Sequence, residues 1–268
     1  TQLELEQRLA DGELDATTLS SVAMVLCSGS REEPRNYCSR ICCSQALKNI
    51  LSLRRKNHNL AIHVFYRDIM TYGFLEEYYT QARREGVIFL RYSPDNKPKV
   101  AFRNELPVVT CHDPVLQKDV AVRADILVLT PGLEPNDTTE TGEVFGVERD
   151  QDGFFREADP KWRPLDCLKQ GLFVCGTALS PKSMPETIAS AQASAQRAMA
   201  ILKADAIPRN TVTAEVRHSL CSLCGRCIKA CPYGARSLDE DLAQVRVDEA
   251  LCQGCGSCAA VCPNSATV

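Results

Sequence analysis

CSLCGRCIKACP, residues 221–232, returns as CQGCGSCAAVCP at residues 252–263, an offset of 31. Each copy reads C-x2-C-x2-C-x3-C-P, a run that carries a 4Fe–4S cluster on thiolates. Three closely spaced cysteines on one tight loop reach three corners of a cube. The fourth, with its proline, starts a turn that points away, and in two-cluster proteins it ligates the other cluster. The spacing therefore predicts one cluster on Cys221, Cys224, Cys227 and Cys262, and another on Cys252, Cys255, Cys258 and Cys231. Gly225, Gly254 and Gly256 let the loops turn and bring backbone N–H groups toward sulfur. The competing readings are zinc and disulfides. Zinc sites pair C-x2-C knuckles instead of setting a triplet before a trailing C-P.

The chain has 268 residues, enough for one or two domains of roughly 100–200 residues. Hydrophobic content of 44% and charged content of 24% are those of an ordinary globular protein. A net charge of −3 argues against a nucleic-acid partner. No apolar run approaches the ~20 residues that span a bilayer. Fifteen cysteines in a short secreted chain would suggest disulfides, but here they cluster at metal spacings. That pattern implies a reducing, oxygen-poor cytoplasm. The chain does not begin with Met and ends six residues after Cys262, so a fragment or a subunit cut from a longer polypeptide is expected.

Upstream of the repeat the chain reads as α/β. Residues 1–10 pattern as a helix and VAMVL (22–26) as a buried strand. Helical periodicity over 37–56, a strand at 60–66, a helix at 74–85 and a strand at 87–91 follow. This alternation predicts a parallel, doubly wound, Rossmann-like sheet. Short extended runs occupy 98–130. Residues 131–170, rich in Pro, Gly and charge, read as loop. GLFVCG (171–176) reads as a strand entering a glycine turn, and 185–203 as an Ala-rich helix. Pro208 and Asn210 punctuate a linker, and 236–247 holds a hairpin. The expected domains are 1–130, Rossmann-like with an inserted iron–sulfur site; 131–210, a further part of the core; and 211–268, an α+β two-cluster ferredoxin domain.

Cys27, Cys38, Cys42 and Cys43 form a second constellation, C-x10-C-x3-C-C. Cys27 follows the first strand, where a dinucleotide domain would carry G-x-G-x-x-G. Thiols stand there instead. A metal cluster in place of the dinucleotide phosphates is one reading, stabilised by helix N-terminal N–H groups. Buried thiols in a degenerate Rossmann loop is the other. Adjacent Cys42 and Cys43 point in different directions on a helix, so a shared cluster requires a distorted helix start.

TQLELEQRLADGEL (1–14), LCSGSREEPRNYCSRICCSQALKNIL (26–51), ADILVLTPGLEPN (124–136) and LFVCGTALSPKSMPETIASAQASAQRA (172–198) are similar to the A-type, iron–sulfur flavoprotein subunit of heterodisulfide reductase. The resemblance runs through nearly the whole chain. It implies an incomplete thioredoxin-reductase-type flavoprotein core followed by a bacterial two-cluster ferredoxin domain. It implies a third 4Fe–4S cluster on Cys27, Cys38, Cys42 and Cys43, close to a flavin. It also implies FAD contacts at Gly132, Gly176, Thr177, Pro181, Lys182, Pro185, Glu186 and Thr187, with 131–210 as the C-terminal part of an FAD-domain-like core. Two departures bear on FAD. Thr177 stands where an Asp usually binds the ribityl chain, and the G-x-G-x-x-G unit for the pyrophosphate is absent. FAD binding then needs that half from a missing segment or a partner chain. Cys175 and Lys182 are candidates to lie near the flavin ring, whereas Cys111 and Cys167 read as buried small apolar residues.

The expected function is an electron-transfer iron–sulfur subunit of a heterodisulfide-reductase-like complex. It would relay single electrons between surface clusters and a flavin or partner subunit. No catalytic acid–base or nucleophile constellation stands outside the cluster cysteines. The resemblance implies other redox subunits as partners, with ferredoxin-like, hydrogenase-, formate- or NADH-linked donors. Related subunits serve sulfate-respiration complexes and tungsten benzoyl-CoA reductases. The alternative is a flavin-dependent oxidoreductase acting directly on a small substrate.

Overall fold

The computed structural model describes residues 1–205 and 212–268. Thr1–Glu134 with Pro181–Ser183 form one compact unit, and Pro135–Ser180 with Met184–Val268 form another. The expected boundary at 210, with Pro208 and Asn210, lies outside the described residues.

The first unit is built on a four-stranded parallel sheet in the order β3-β2-β1-β7. β1 is Ser21–Ser28, β2 Ala61–Tyr66, β3 Ile88–Arg91 and β7 Ile126–Pro131. Alternation along β1 sends side chains to two cores. Val22, Met24 and Leu26 face one with Ile62, Val64 and Val128. Ala23 and Val25 face the other with Phe65. α1 (Gln2–Ala10), α2 (Cys42–Lys56) and α3 (Glu76–Arg84) cover the first face through Leu5, Leu47, Ile50, Leu53 and Ala82.

The second face departs from the doubly wound expectation. It carries an antiparallel sheet formed by the short extended runs of 98–130: β4 (Lys99–Arg103), β5 (Leu106–Asp113) and β6 (Lys118–Arg123). Val109, Cys111 and Val122 pack against Phe65, Leu90 and Tyr92. The extended runs at 98–130 close on themselves because Asn104 and Glu105 both adopt positive φ, 51° and 66°, and turn β4 tightly into β5.

In the sheet, strands β1, β2 and β3 proceed one way, and β7 joins on the other side of β1. Ligands of open α/β sheets bind beyond the carboxyl ends of strands at such a reversal. Cys27 lies there, at the end of β1.

The second unit holds α4 (Thr139–Phe145), α5 (Met184–Leu202) and a small cysteine-rich module. α4 lies in the segment expected to be loop. A left-handed Gly146 caps it, and the Asp137 carboxylate accepts from Thr139 N–H at 3.0 Å. The strand expected at 171–176 does not form. Backbone N–H groups of Leu172 and Val174 bond back to Lys169 and Leu165, leaving one bridge between Phe173 and Asp166. Gly171 and Gly176, at φ 85° and 61°, bound the segment too closely for a strand. The hairpin does form, as β8 (Arg236–Asp239) and β9 (Gln244–Val247), flanked by α6 (Arg226–Lys229) and α7 (Ser257–Ala260). The two ends of the module pair through Glu215 and Val268, which exchange backbone hydrogen bonds of 2.8 and 3.1 Å.

Candidate metal centres

No disulfide joins any two of the fifteen cysteines. In the C-terminal module the repeat survives as backbone geometry. Leu223 and Gly225 adopt φ 58° and 70°, and Gly254 and Gly256, the matching positions, adopt 63° and 75°. These left-handed residues curl each run around a small void. Cys221, Cys224, Cys227 and Cys262 line one. Cys231, Cys252, Cys255 and Cys258 line the other. The matching linings follow from the duplication. The structure thus brings the trailing cysteine of each run to the triplet of the other.

The surroundings favour thiolate. Ala214 N–H points at Cys252 Sγ at 3.4 Å, and Ala266 N–H at Cys262 Sγ at 3.2 Å. The Ser257 hydroxyl and then its N–H lower the Cys255 thiol. Asn264 N–H, with Ala266 and Thr267, lowers Cys262. Cys227, by contrast, is raised by burial, with Arg236 opposing. Cys224 and Cys255 are exposed, one at each void.

A 4Fe–4S cube takes its four thiolates at separate corners of a cage. Among the described residues no group of three or more His, Cys, Asp or Glu converges on one point to hold a single metal ion. The donor set fits a cube on an independent ground. Arg236 is 5% exposed and its Nη1 has no hydrogen-bond partner. A buried guanidinium beside thiols calls for an anion, and a thiolate-held cluster is one.

The N-terminal constellation is assembled by β1 and α2. Cys27, next to last in β1, adopts φ 57° at the register shift between Leu26 and Ser28 in the pairing with β7. The expected helix at 37–56 begins only at Cys42. Residues 37–41 are held otherwise: the Tyr37 hydroxyl donates to Leu133 O at 2.7 Å, Ser39 Oγ accepts from Leu133 N–H at 2.7 Å, and Arg40 sits at φ 63°. Cys38 therefore lies in a loop, where Arg40 N–H points at its sulfur at 3.3 Å. Cys42 and Cys43 are the first two residues of a helix whose start is irregular: the N-cap Ile41 is itself in the right-handed helical region with no side-chain cap, and Arg40 before it is left-handed.

The four thiols lie close enough for charge on one to act on another. Burial raises Cys42 to about 11, helped by Cys27 and Cys38. Burial raises Cys43 to about 12, helped by Cys42, Cys27 and Cys38. Cys27 is also raised by burial, with Arg31 opposing. Cys43 Sγ points at Asp68 O, 3.8 Å away. Three clustered thiols with raised values, Cys27, Cys42 and Cys43, fit a site whose protons leave only when iron replaces them.

The candidate flavin residues divide. Gly132, Pro181 and Lys182 belong to the first unit; Gly176, Thr177, Pro185, Glu186 and Thr187 belong to the second. A Cβ on Gly132 would stand 2.7 Å from Ser39 Oγ and 2.8 Å from Ser30 Oγ. The loop that carries Cys38 already fills that space, so this glycine serves loop packing and leaves no cofactor cradle there. Gly176 packs on Thr187, and its N–H donates to Ser190 Oγ at 3.0 Å. Its amide is therefore satisfied within the chain. The residues present do not by themselves fit FAD. Cys175 and Cys167 line an apolar cavity of ≈ 340 Å³ with Phe145, Phe155 and Phe173. Cys111 is buried in the inter-sheet core as expected.

The sequence singles out neither Arg31 nor Arg236. Arg31 Nη2 donates to the Asp68 carboxylate at 2.9 Å, and its charge acts on the Cys27 thiol. Arg236 Nη2 donates to Cys258 Sγ at 3.1 Å. The one signal available is the internal repeat, which sets Arg236 against Thr267.

A sequence-family model described as "4Fe-4S dicluster domain" matches residues 203–266. The A-type heterodisulfide reductase subunit-like protein of Archaeoglobus profundus is 35% identical over 242 residues, 87% of this chain and 34% of that protein. The A-type subunit of the H(2):CoB-CoM heterodisulfide,ferredoxin reductase of Methanothermobacter marburgensis is 35% identical over 262 residues, 92% of this chain and 39% of that protein. Thioredoxin reductase of T. acidophilum aligns with a TM-score of 0.44 at 16% identity, over 71% of this chain and 53% of that one. The chain spans little more than a third of the length of the curated relatives it matches. At 92% coverage the likeness takes in both the Rossmann-like unit with its thiol-bearing first turn and the dicluster module, and the chain belongs to the family of A-type heterodisulfide reductase subunits.

Proposed function

We propose that this chain is an iron–sulfur conductor within a multi-subunit, heterodisulfide-reductase-like complex. Twelve cysteines hold three 4Fe–4S clusters: Cys221, Cys224, Cys227 and Cys262; Cys252, Cys255, Cys258 and Cys231; and Cys27, Cys38, Cys42 and Cys43. One observation carries the reading: each void in the C-terminal module is lined by three cysteines of one run and the last cysteine of the other.

A bound cluster supplies a one-electron couple, within a range of roughly −700 to +450 mV. The chain's own residues do the rest. Loop amides and the Ser257 hydroxyl hold the thiolate form. Exposed Cys224 and Cys255 mark where a partner would approach each C-terminal cluster. Arg31, tied to Asp68, places positive charge against Cys27. In this reading, chemistry on the final acceptor falls to partner subunits.

The Methanothermobacter marburgensis relative belongs to a reductase named for hydrogen, the CoB-CoM heterodisulfide and ferredoxin. For this chain, donors of ferredoxin type, or linked to hydrogen, formate or NADH oxidation, fit the same role. A flavin would be completed by residues beyond this chain's own. No helix among the described residues is long and apolar enough to cross a membrane, and clusters with exposed ligands suit the reducing cytoplasm. Dithionite should bleach the visible absorbance of the air-free protein, and a mild oxidant should restore it over repeated cycles. A sample whose spectrum ignores both reagents would refute the role.

A further inference from the structure

Arg236 opens β8, buried and half-satisfied. Its Nη2 donates to Cys258 Sγ at 3.1 Å, while Nη1 is buried with no partner. The carboxylate on the same strand, Asp239, is taken by Arg246 at 2.7 Å. Arg236 instead lines the void of Cys231, Cys252, Cys255 and Cys258.

The repeat makes this informative. An offset of 31 sets Ala235 against Ala266 and Arg236 against Thr267. Both alanines are 2% exposed, and Arg236 and Thr267 are both 5% exposed. Thr267 lines the other void. Duplication has kept the position and its burial but changed its charge.

We infer that Arg236 makes the two C-terminal clusters unequal, so that the one on Cys231, Cys252, Cys255 and Cys258 is the easier to reduce and holds the first electron. This rests on the cluster reading of the proposed function. Reduction adds one negative charge to a cage that is already anionic. A fixed guanidinium in hydrogen-bond contact with a ligand sulfur stabilises the reduced form more than the oxidised form, and low surrounding dielectric enlarges the difference. Hydrogen bonds to sulfur and net charge are among the factors that set such potentials. Thr267 offers no charge to the other cluster, and Arg226, which lines that void, is exposed, so solvent screens its charge where Arg236 is buried. Arg236 does act on Cys227 through space, against the larger effect of burial. The second cluster therefore feels Arg236 too, but without the hydrogen bond that reaches Cys258.

The test is an anaerobic titration of the full chain with dithionite as electron source, followed by EPR. Signals are assigned through Cys262→Ala, which removes a ligand of the other cluster. Wild type should show two midpoints, the higher belonging to the Cys258 cluster. Arg236→Gln should lower that midpoint by about 59 mV, a tenfold change in its reduction equilibrium, and move the other less. Arg236→Lys should fall between. Iron retained with an unchanged gap overturns the inference. Should Arg236→Gln shed iron, wild-type protein carrying nitrogen-labelled arginine decides by pulsed EPR. A guanidinium nitrogen coupled to the first-reduced cluster supports the inference, and its absence overturns it. A wild-type chain without iron overturns the cluster reading itself.

Discussion

Both carboxylate oxygens of Asp166 accept from Arg197, Oδ1 from Nε and Oδ2 from Nη2, each at 2.7 Å. The fork pins α5 to the turn at 163–173, a segment with little regular structure of its own. Arg163 adds a longer contact to Oδ2 at 3.4 Å. Burial alone would raise this carboxyl, but Arg197 and then Arg163 outweigh it and hold it below its ordinary 3.8. Asp166→Ala should destabilise the second unit by about 1–3 kcal/mol, the range for hydrogen bonds to charged groups. A depressed carboxyl stabilises fully above its unfolded value and loses that contribution as pH falls through the folded value. The gap in denaturant midpoint between wild type and variant should therefore be widest near neutrality and close below about pH 4. A gap that widens on acidification would contradict the ion pair.

Asn49 ties α1 to α2 without charge. Its Nδ2 donates to Gln2 Oε1 at 2.8 Å, and Gln2 Nε2 donates to Thr130 Oγ1 at 3.0 Å. Gln2 and Asn49 are both buried. Asn49→Leu leaves Gln2 Oε1 without that donor in an apolar surround, at a cost of about 1–3 kcal/mol. Thermal unfolding of the variant should shift down while its iron content stays at the wild-type level. Unchanged unfolding would mean the network contributes nothing.

These two ties also mark where sequence reading stops. The parallel strands and cysteine runs are legible because each is local: VAMVL is buried on both faces, and C-x2-C-x2-C is set by one loop. The covering of the sheet is not. β5 and β6 face the core through Val109, Cys111 and Val122, with β4 exposed beside them, yet nothing local in 98–123 says that they, and not helices, occupy the second face. The late start of α2 is hidden because Tyr37 and Ser39 bond to Leu133, nearly a hundred residues on. Phe173 and Val174 read as a strand by hydrophobicity, but their neighbours' N–H groups turn back locally. At the metal centres the thiols are readable and their arginine neighbours are not. A guanidinium reaches Cys258 from β8, 22 residues away in sequence.

Gly254 tests the curl of the second run. A Cβ there would stand 2.6 Å from Val212 O, a backbone atom that cannot swing aside. Backbone conformation alone is not the obstacle, since Leu223 adopts φ 58° at the matching position. Gly254→Ala should cost the cluster of Cys231, Cys252, Cys255 and Cys258, about four irons per chain. Gly225→Ala, where nothing lies within 4 Å, should cost about 1 kcal/mol of stability and no iron. Equal iron loss in both variants would place the effect in the backbone angle and not in the clash.

Cys38 reaches its neighbours from a loop, clear of the helix that carries Cys42 and Cys43. Its removal should therefore disturb packing least among the four. Cys38→Ala should lose about four irons and leave the EPR signals of the two C-terminal clusters intact. Full iron retention would return this constellation to ordinary buried thiols.

Iron and acid-labile sulfide, counted per chain in protein purified without air, bear most directly on the central claim that twelve thiolates hold three cages. Three cages predict about twelve of each. About eight would leave only the two C-terminal clusters. A colourless chain with all fifteen thiols titrating freely would contradict the claim outright.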